Sequence, residues 1–68
     1  MKEPLDQRVG IVVAHVRGAF LVQCNGAVVY CRLAGRMRAR HIRVAVGEAV
    51  TVEVSPYDPV RGRIVWRR

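Results

Sequence analysis

Between Asp6 and Glu48 the chain has no acidic residue, yet seven arginines fall in that interval: Arg8, Arg17, Arg32, Arg36, Arg38, Arg40 and Arg43. The other five basic residues are matched in number by five acidic ones, so the whole formal charge of +7 arises there. A surface with so many uncompensated guanidiniums attracts phosphate and releases counterions on binding, which points to a polyanionic partner. Lysine is almost missing as well, Lys2 being the only one. Arginine's planar fork grips phosphate in two places and stacks on bases, which an ammonium cannot do. A charge run is also commonly no more than a solvated face, so the rest of the chain has to decide between the two.

Residues for catalysis are equally scarce. Ser55 is the only serine, Asp6 and Asp58 are the only aspartates, and His15 and His41 fall in different elements. No triad, carboxylate pair or glycine-rich phosphate loop can be drawn from them, so an enzyme is not expected. Cys24 and Cys31 lack the close pairing of zinc motifs, and neither histidine lies at ligand spacing from them. No metal and no cofactor is expected. Long apolar runs are missing too. Ile11 to Val16 is interrupted by His15 and is far too short to span a bilayer, and no run of signal-peptide type follows Met1-Lys2-Glu3-Pro4. The expectation is a cytoplasmic protein with no membrane partner.

Sixty-eight residues make one domain, and a chain so small buries only about 60% of the surface it exposes when unfolded. Residues 1–7 read as a loose, polar leader containing Pro4, and residues 8–68 as the folded domain. Short strands separated by turn residues then follow. Ile11 to Ala14 is a β-branched run, closed by Arg17-Gly18. Ala19 to Cys24 alternates, with Phe20, Val22 and Cys24 on one face. Asn25-Gly26 is a strong type I′ hairpin signal, and Ala27 to Leu33 places Val29, Cys31 and Leu33 on one face and Val28, Tyr30 and Arg32 on the other. That hairpin separates Cys24 and Cys31 by on the order of 13 Å, beyond the roughly 7 Å that a disulfide spans. Free buried thiols are expected.

Alternation breaks at Ala34-Gly35, and Met37, His41 and Ile42 are spaced for a short helical turn, which Met37 and Ile42 pin to the core. It resumes at Val50 to Ser55, with Val50, Val52 and Val54 inward. Pro56-Tyr57-Asp58-Pro59 reads as a loop, since neither proline donates to a ladder, with Tyr57 as its anchor. The last strand is expected from Arg63 to Arg67, with Ile64 and Trp66 both inward. Five strands with one short helical or irregular insertion between the third and fourth is the order of an all-β, Greek-key OB-fold barrel. An SH3-like barrel is the nearest rival, but it does not need the basic insertion.

The run from Ala34 to Arg68, AGRMRARHIRVAVGEAVTVEVSPYDPVRGRIVWRR, resembles bacterial translation initiation factor one. The likeness lies in the Gly-basic-Met-Arg element, the Ile-Arg pair, the Gly-acidic step into Val-Thr-Val-Glu, and Pro-Tyr-Asp ahead of Arg-Gly-Arg-Ile. In the first half Gly10, Phe20 and Asn25-Gly26 fit the same pattern. The resemblance implies an OB-fold factor that binds rRNA at the decoding (A) site of the small ribosomal subunit and assists initiation-complex assembly. It also implies initiation factors two and three as companions on the subunit, and the protein itself is expected to be a monomer. The family's rRNA contacts fall on Arg38, Arg43 and Arg63, with Arg36 at the neighbouring basic position and His41 where an aromatic is usual. Ala39 stands where a basic residue is frequent, and Arg40 supplies the charge one place on. The expected RNA-binding set is therefore Arg36, Arg38, Arg40, His41, Arg43 and Arg63. Two alternatives stay beside it: a general single-strand RNA binder of cold-shock type, which normally clusters several aromatics on its strands, and a barrel that binds an acidic protein.

Overall fold

Two tight turns set the register of the first three strands. In the computed structural model, which describes residues 6–67, Arg17 and Asn25 take φ of 50° and 48°, and each is followed by a glycine at 80°. Two successive positive φ angles make a type I′ turn, whose twist matches that of the flanking strands. The turns join β1 (Asp6–Val16) to β2 (Ala19–Cys24) and β2 to β3 (Ala27–Leu33), with Val16 opposite Ala19 and Cys24 opposite Ala27.

After β3 comes α1 (Gly35–Ala39), then β4 (Ala49–Ser55) and β5 (Asp58–Arg67). β1 is the strand that closes the sheet. Its first half pairs with β4, from Asp6 opposite Val54 to Ile11 opposite Ala49, and its second half pairs with β2. β3 runs parallel to β5, giving a closed barrel in the order β1-β2-β3-β5-β4. This is the expected five-stranded OB barrel with its helical insertion between strands three and four. Closure leaves no long strand edge exposed.

The interior is filled by alternate residues of every strand: Val12, Val22, Val29, Val50, Val52, Val54 and Ile64 are each at most 1% exposed. Met37 is fully buried among them and carries α1 onto the barrel, with Ile42 packed against the same cluster. The expected pinning role of these two residues is what the structure shows. Burying one such side chain stabilises the fold by about 1.5 to 3 kcal/mol.

Four expectations need correction. Asp6 and Gln7, read as leader, are the first residues of β1 and pair with Val54 and Glu53; the rest of the expected leader, residues 1–5, lies outside the described residues. β5 begins at Asp58, so the loop shrinks to Pro56-Tyr57 and Pro59 lies in a strand. The register jumps from Ser55 opposite Asp58 to Val54 opposite Gly62, and β3 meets β5 only from Arg61 onward. Pro59 therefore sits in a bulge where no ladder bond is asked of it, one of the few strand positions a proline tolerates. Tyr57 is 78% exposed, so its ring is not the buried anchor expected of it.

The fourth correction is Trp66. Thr51 faces Trp66 while Val52 faces Ile64, so Val65 is an extra residue in β5. The bulge turns both Ile64 and Val65 inward and leaves Trp66 half exposed.

Cys24 and Cys31 are buried and unbridged, and Cys31 faces Phe20 as the hairpin register requires. Burial pushes the Cys31 thiol up to about 12, with Cys24 adding to the shift. Raised in the folded state alone, this group stabilises the fold below its unfolded value, and the contribution fades as the pH climbs toward 12. A disulfide-exchange reagent at pH 8 is expected to label neither thiol quickly in the native protein and both in denaturant. Rapid native labelling of Cys31 would contradict its place in the core.

Candidate nucleic-acid interface

The basic segment after β3 is held by backbone hydrogen bonds as well as by the buried Met37 side chain. The carbonyl of Ala34 accepts from the Met37 and Arg38 amides, and the Ala34 amide donates to Ile64 O at 2.9 Å, tying the start of α1 to β5. At the other end the Ile42 amide donates to Met37 O at 3.0 Å and the His41 amide to Arg38 O at 3.1 Å. His41 itself has φ of 55°. These are the two bonds and the left-handed residue of a Schellman motif, with the apolar pair Met37 and Ile42 closing it. The position usually goes to glycine. A histidine there keeps its ring outside the helix, and His41 is exposed.

The following loop is closed by an acid. Glu48 Oε1 accepts from the Ala45 amide at 2.6 Å, while Val12 donates to Glu48 O and Gly47 to Val12 O, docking the loop on β1. Glu53 is occupied as well. Its Oε2 accepts from Gln7 Nε2 at 3.1 Å, and Arg63 Nη2 lies 3.4 Å from its Oε1. Among the described residues the ion pairs are Arg63 with Glu53 and Arg8 with Asp6; both are exposed enough to contribute about 1 kcal/mol or less. The acids thus fasten the frame and leave most of the arginine charge uncompensated.

The six expected site residues are all exposed, but they do not converge on one point. Arg38 and Arg63 line one open groove on the outside of β2, β3 and β5. Arg36 turns away to donate from Nη2 to Val65 O at 3.1 Å, and the carbonyl of Arg43 accepts from Arg67 Nη1 at 3.2 Å. Arg40 and His41 occupy the end of α1. The groove also contains residues outside the expected set: Tyr30, Arg32 and Arg61. Tyr30 faces Arg61 and Arg32 faces Arg63 across the parallel β3-β5 pair. The outward parity of Val28, Tyr30 and Arg32 was the signal for them, since OB folds bind ligands on the face of strands two and three.

Fold and groove together define a small OB-fold protein with an arginine-lined groove on its outer face. Residues 1–68 match the family Translation initiation factor 1A / IF-1, and the chain belongs to that family. It is 43% identical over 68 residues to translation initiation factor IF-1 of Rickettsia bellii (strain OSU 85-389), covering 97% of this chain and 93% of that one. It is 49% identical over 43 residues to the IF-1 of Mesomycoplasma hyopneumoniae (strain 7448), where the match spans 63% of this chain and 57% of the relative. Among solved structures, the solution structure of the same initiation factor from the Wolbachia endosymbiont strain TRS of Brugia malayi superposes with a TM-score of 0.80 at 32% identity, over 94% of this chain and 78% of that one. The barrel also recurs as 22% of a larger chain, YjeQ from Thermotoga maritima, with a TM-score of 0.75 and 26% identity over 91% of this one. The family is one of translation initiation factors, not of enzymes. No helix among the described residues is long and apolar enough to cross a membrane.

Proposed function

We propose that the chain binds rRNA at the decoding (A) site of the small ribosomal subunit and assists initiation-complex assembly there. It acts in the cytoplasm as a monomer, by occupancy and without a cofactor, beside initiation factors two and three. The observation that carries this reading is the arginine-lined groove that joins α1 to the outer face of β3 and β5. Arg36, Arg38, Arg40, Arg43 and Arg63 hold phosphates on a surface that spans the groove and the α1 segment, and His41 wedges against an unstacked base. A general cold-shock type binder would carry several rings in the groove, and here Tyr30 is its one aromatic among the described residues.

Sedimentation with purified small subunits, in the presence of excess free RNA, tests the reading. The chain is expected to travel with the subunits, and failure to do so overturns the proposal. His41→Ala is expected to weaken binding about fivefold or more, the usual effect of losing a base stack. His41→Gly suits the left-handed backbone and is expected to keep or raise the melting temperature, by up to about 1 kcal/mol of stability, while losing the same affinity. If both variants bind like the parent, the residue serves the Schellman turn alone.

A further inference from the structure

We propose that Tyr30 is a stacking platform for one unstacked RNA base, a role that rests on the groove being the RNA-contacting face. The chain has four aromatic residues, Phe20, Tyr30, Tyr57 and Trp66, and the fold gives them different fates. Phe20 is 5% exposed and lies under His15, the two rings 4.3 Å apart and within 10° of parallel. Trp66 stands opposite Thr51 of β4, and Tyr57 projects from the β4-β5 turn; neither lines the groove. Tyr30 does. It is 40% exposed on the outer face of β3, between Leu21 of β2 and Arg61 of β5.

What surrounds the ring identifies the occupant. Val28 and Val60 line the same groove and are 51% and 60% exposed, an apolar floor left open to water. Around it stand Arg32, Arg38, Arg61 and Arg63, of which Arg63 alone has a carboxylate partner among the described residues. A flat face on an apolar floor with guanidiniums at its rim matches a nucleotide, whose base is aromatic and whose flanking phosphates are anionic. An acidic peptide with apolar side chains would satisfy the same charges, but it would need bulk at position 30 and not a ring.

Affinities of Tyr30→Phe, Tyr30→Leu and Tyr30→Ala test this, measured against small subunits and against a labelled single-stranded oligoribonucleotide and its abasic counterpart. The side chain is surface-exposed, so all three are expected to fold, and their melting curves check it. Tyr30→Phe is expected to bind within about twofold of the parent, and Tyr30→Leu and Tyr30→Ala about tenfold or more weaker. Their salt dependence is expected to stay parallel to the parent's, because no phosphate contact is lost. On abasic RNA the four proteins are expected to bind alike. Parent-like binding by Tyr30→Leu would assign the site to apolar contact of peptide type, and parent-like binding by Tyr30→Ala would remove Tyr30 from the interface; either overturns the proposal. If the parent binds the oligonucleotide with this dependence on the ring but not the subunit, the platform stands and the ribosomal reading falls. Binding to neither RNA sinks both.

Discussion

Replacing Arg32, Arg38, Arg61 and Arg63 together with glutamine is expected to flatten the salt dependence of subunit binding and leave the fold intact. All four side chains are exposed and line one groove. Each phosphate contact contributes about 0.7 to 0.9 to the slope of log affinity against log salt, so four lost contacts remove about 3. Between about 50 and 200 mM salt, a roughly fourfold change, the parent is then expected to lose roughly 60 times more affinity than the variant. Glutamine keeps polarity and most of the bulk, so the melting temperature is expected to move little. The Arg63 ion pair with Glu53 is the one ion pair among the described residues that is sacrificed, and an exposed pair contributes about 1 kcal/mol or less. A parent-like slope in the variant would mean that the groove is not where the RNA lies.

The placement of that groove shows where reading the chain as a string stops. Strands β2, β3 and β4 were legible because their buried residues alternate and because Asn25-Gly26 has the backbone freedom that a type I′ turn demands. Trp66 was not. Its outward turn depends on Val65 being an extra residue opposite β4, and an inserted residue leaves no mark where it and both its neighbours, Ile64 and Trp66, are apolar. Pro59 misled in the opposite way, since its missing donor forbids a ladder bond and not a strand without one.

The candidate site was legible as a charge and only in part as a place. Four arginines fall in residues 35–43, and that cluster marks the segment without marking the groove beside it. Arg61 lies outside the acid-free interval, and Tyr30 and Arg32 are far from Arg61 along the chain, yet the parallel β3-β5 pair sets them side by side. That pairing is non-local and is fixed by barrel closure, which no local pattern encodes. His41 was half legible. Its ring stood out among arginines, while its left-handed backbone could be seen only once the bonds from His41 and Ile42 back to α1 were in view.

Gly10→Ala is expected to be the most destabilising single methyl addition in the barrel, costing about 3 kcal/mol, at the upper end of what overpacking does. Gly10 is buried in β1 opposite Val50, one residue before the strand begins to pair with β2 as well as β4. A Cβ there would lie 2.5 Å from Cys24 Sγ, 2.6 Å from Gln23 O and 2.6 Å from Val22 Cγ1. Side chains can rotate away, but the Gln23 carbonyl belongs to the β2 backbone and can move only with the strand. Relief therefore means parting β1 from β2 where one strand serves both neighbours, and closure of the barrel depends on that junction. In a domain of this size a loss of about 3 kcal/mol is a large share of the total stability and lowers the melting temperature by roughly 12 to 24 °C. Gly35→Ala is the control. Nothing lies within 4 Å of its added carbon, and alanine loses less backbone freedom on folding than glycine, so that variant is expected to melt no lower than the parent. Thermal denaturation of the two proteins, followed by circular dichroism, decides the matter: a Gly10→Ala curve within a few degrees of the parent's would mean that β1 and β2 separate at little cost, and that the close approach at Gly10 is not what holds the barrel shut.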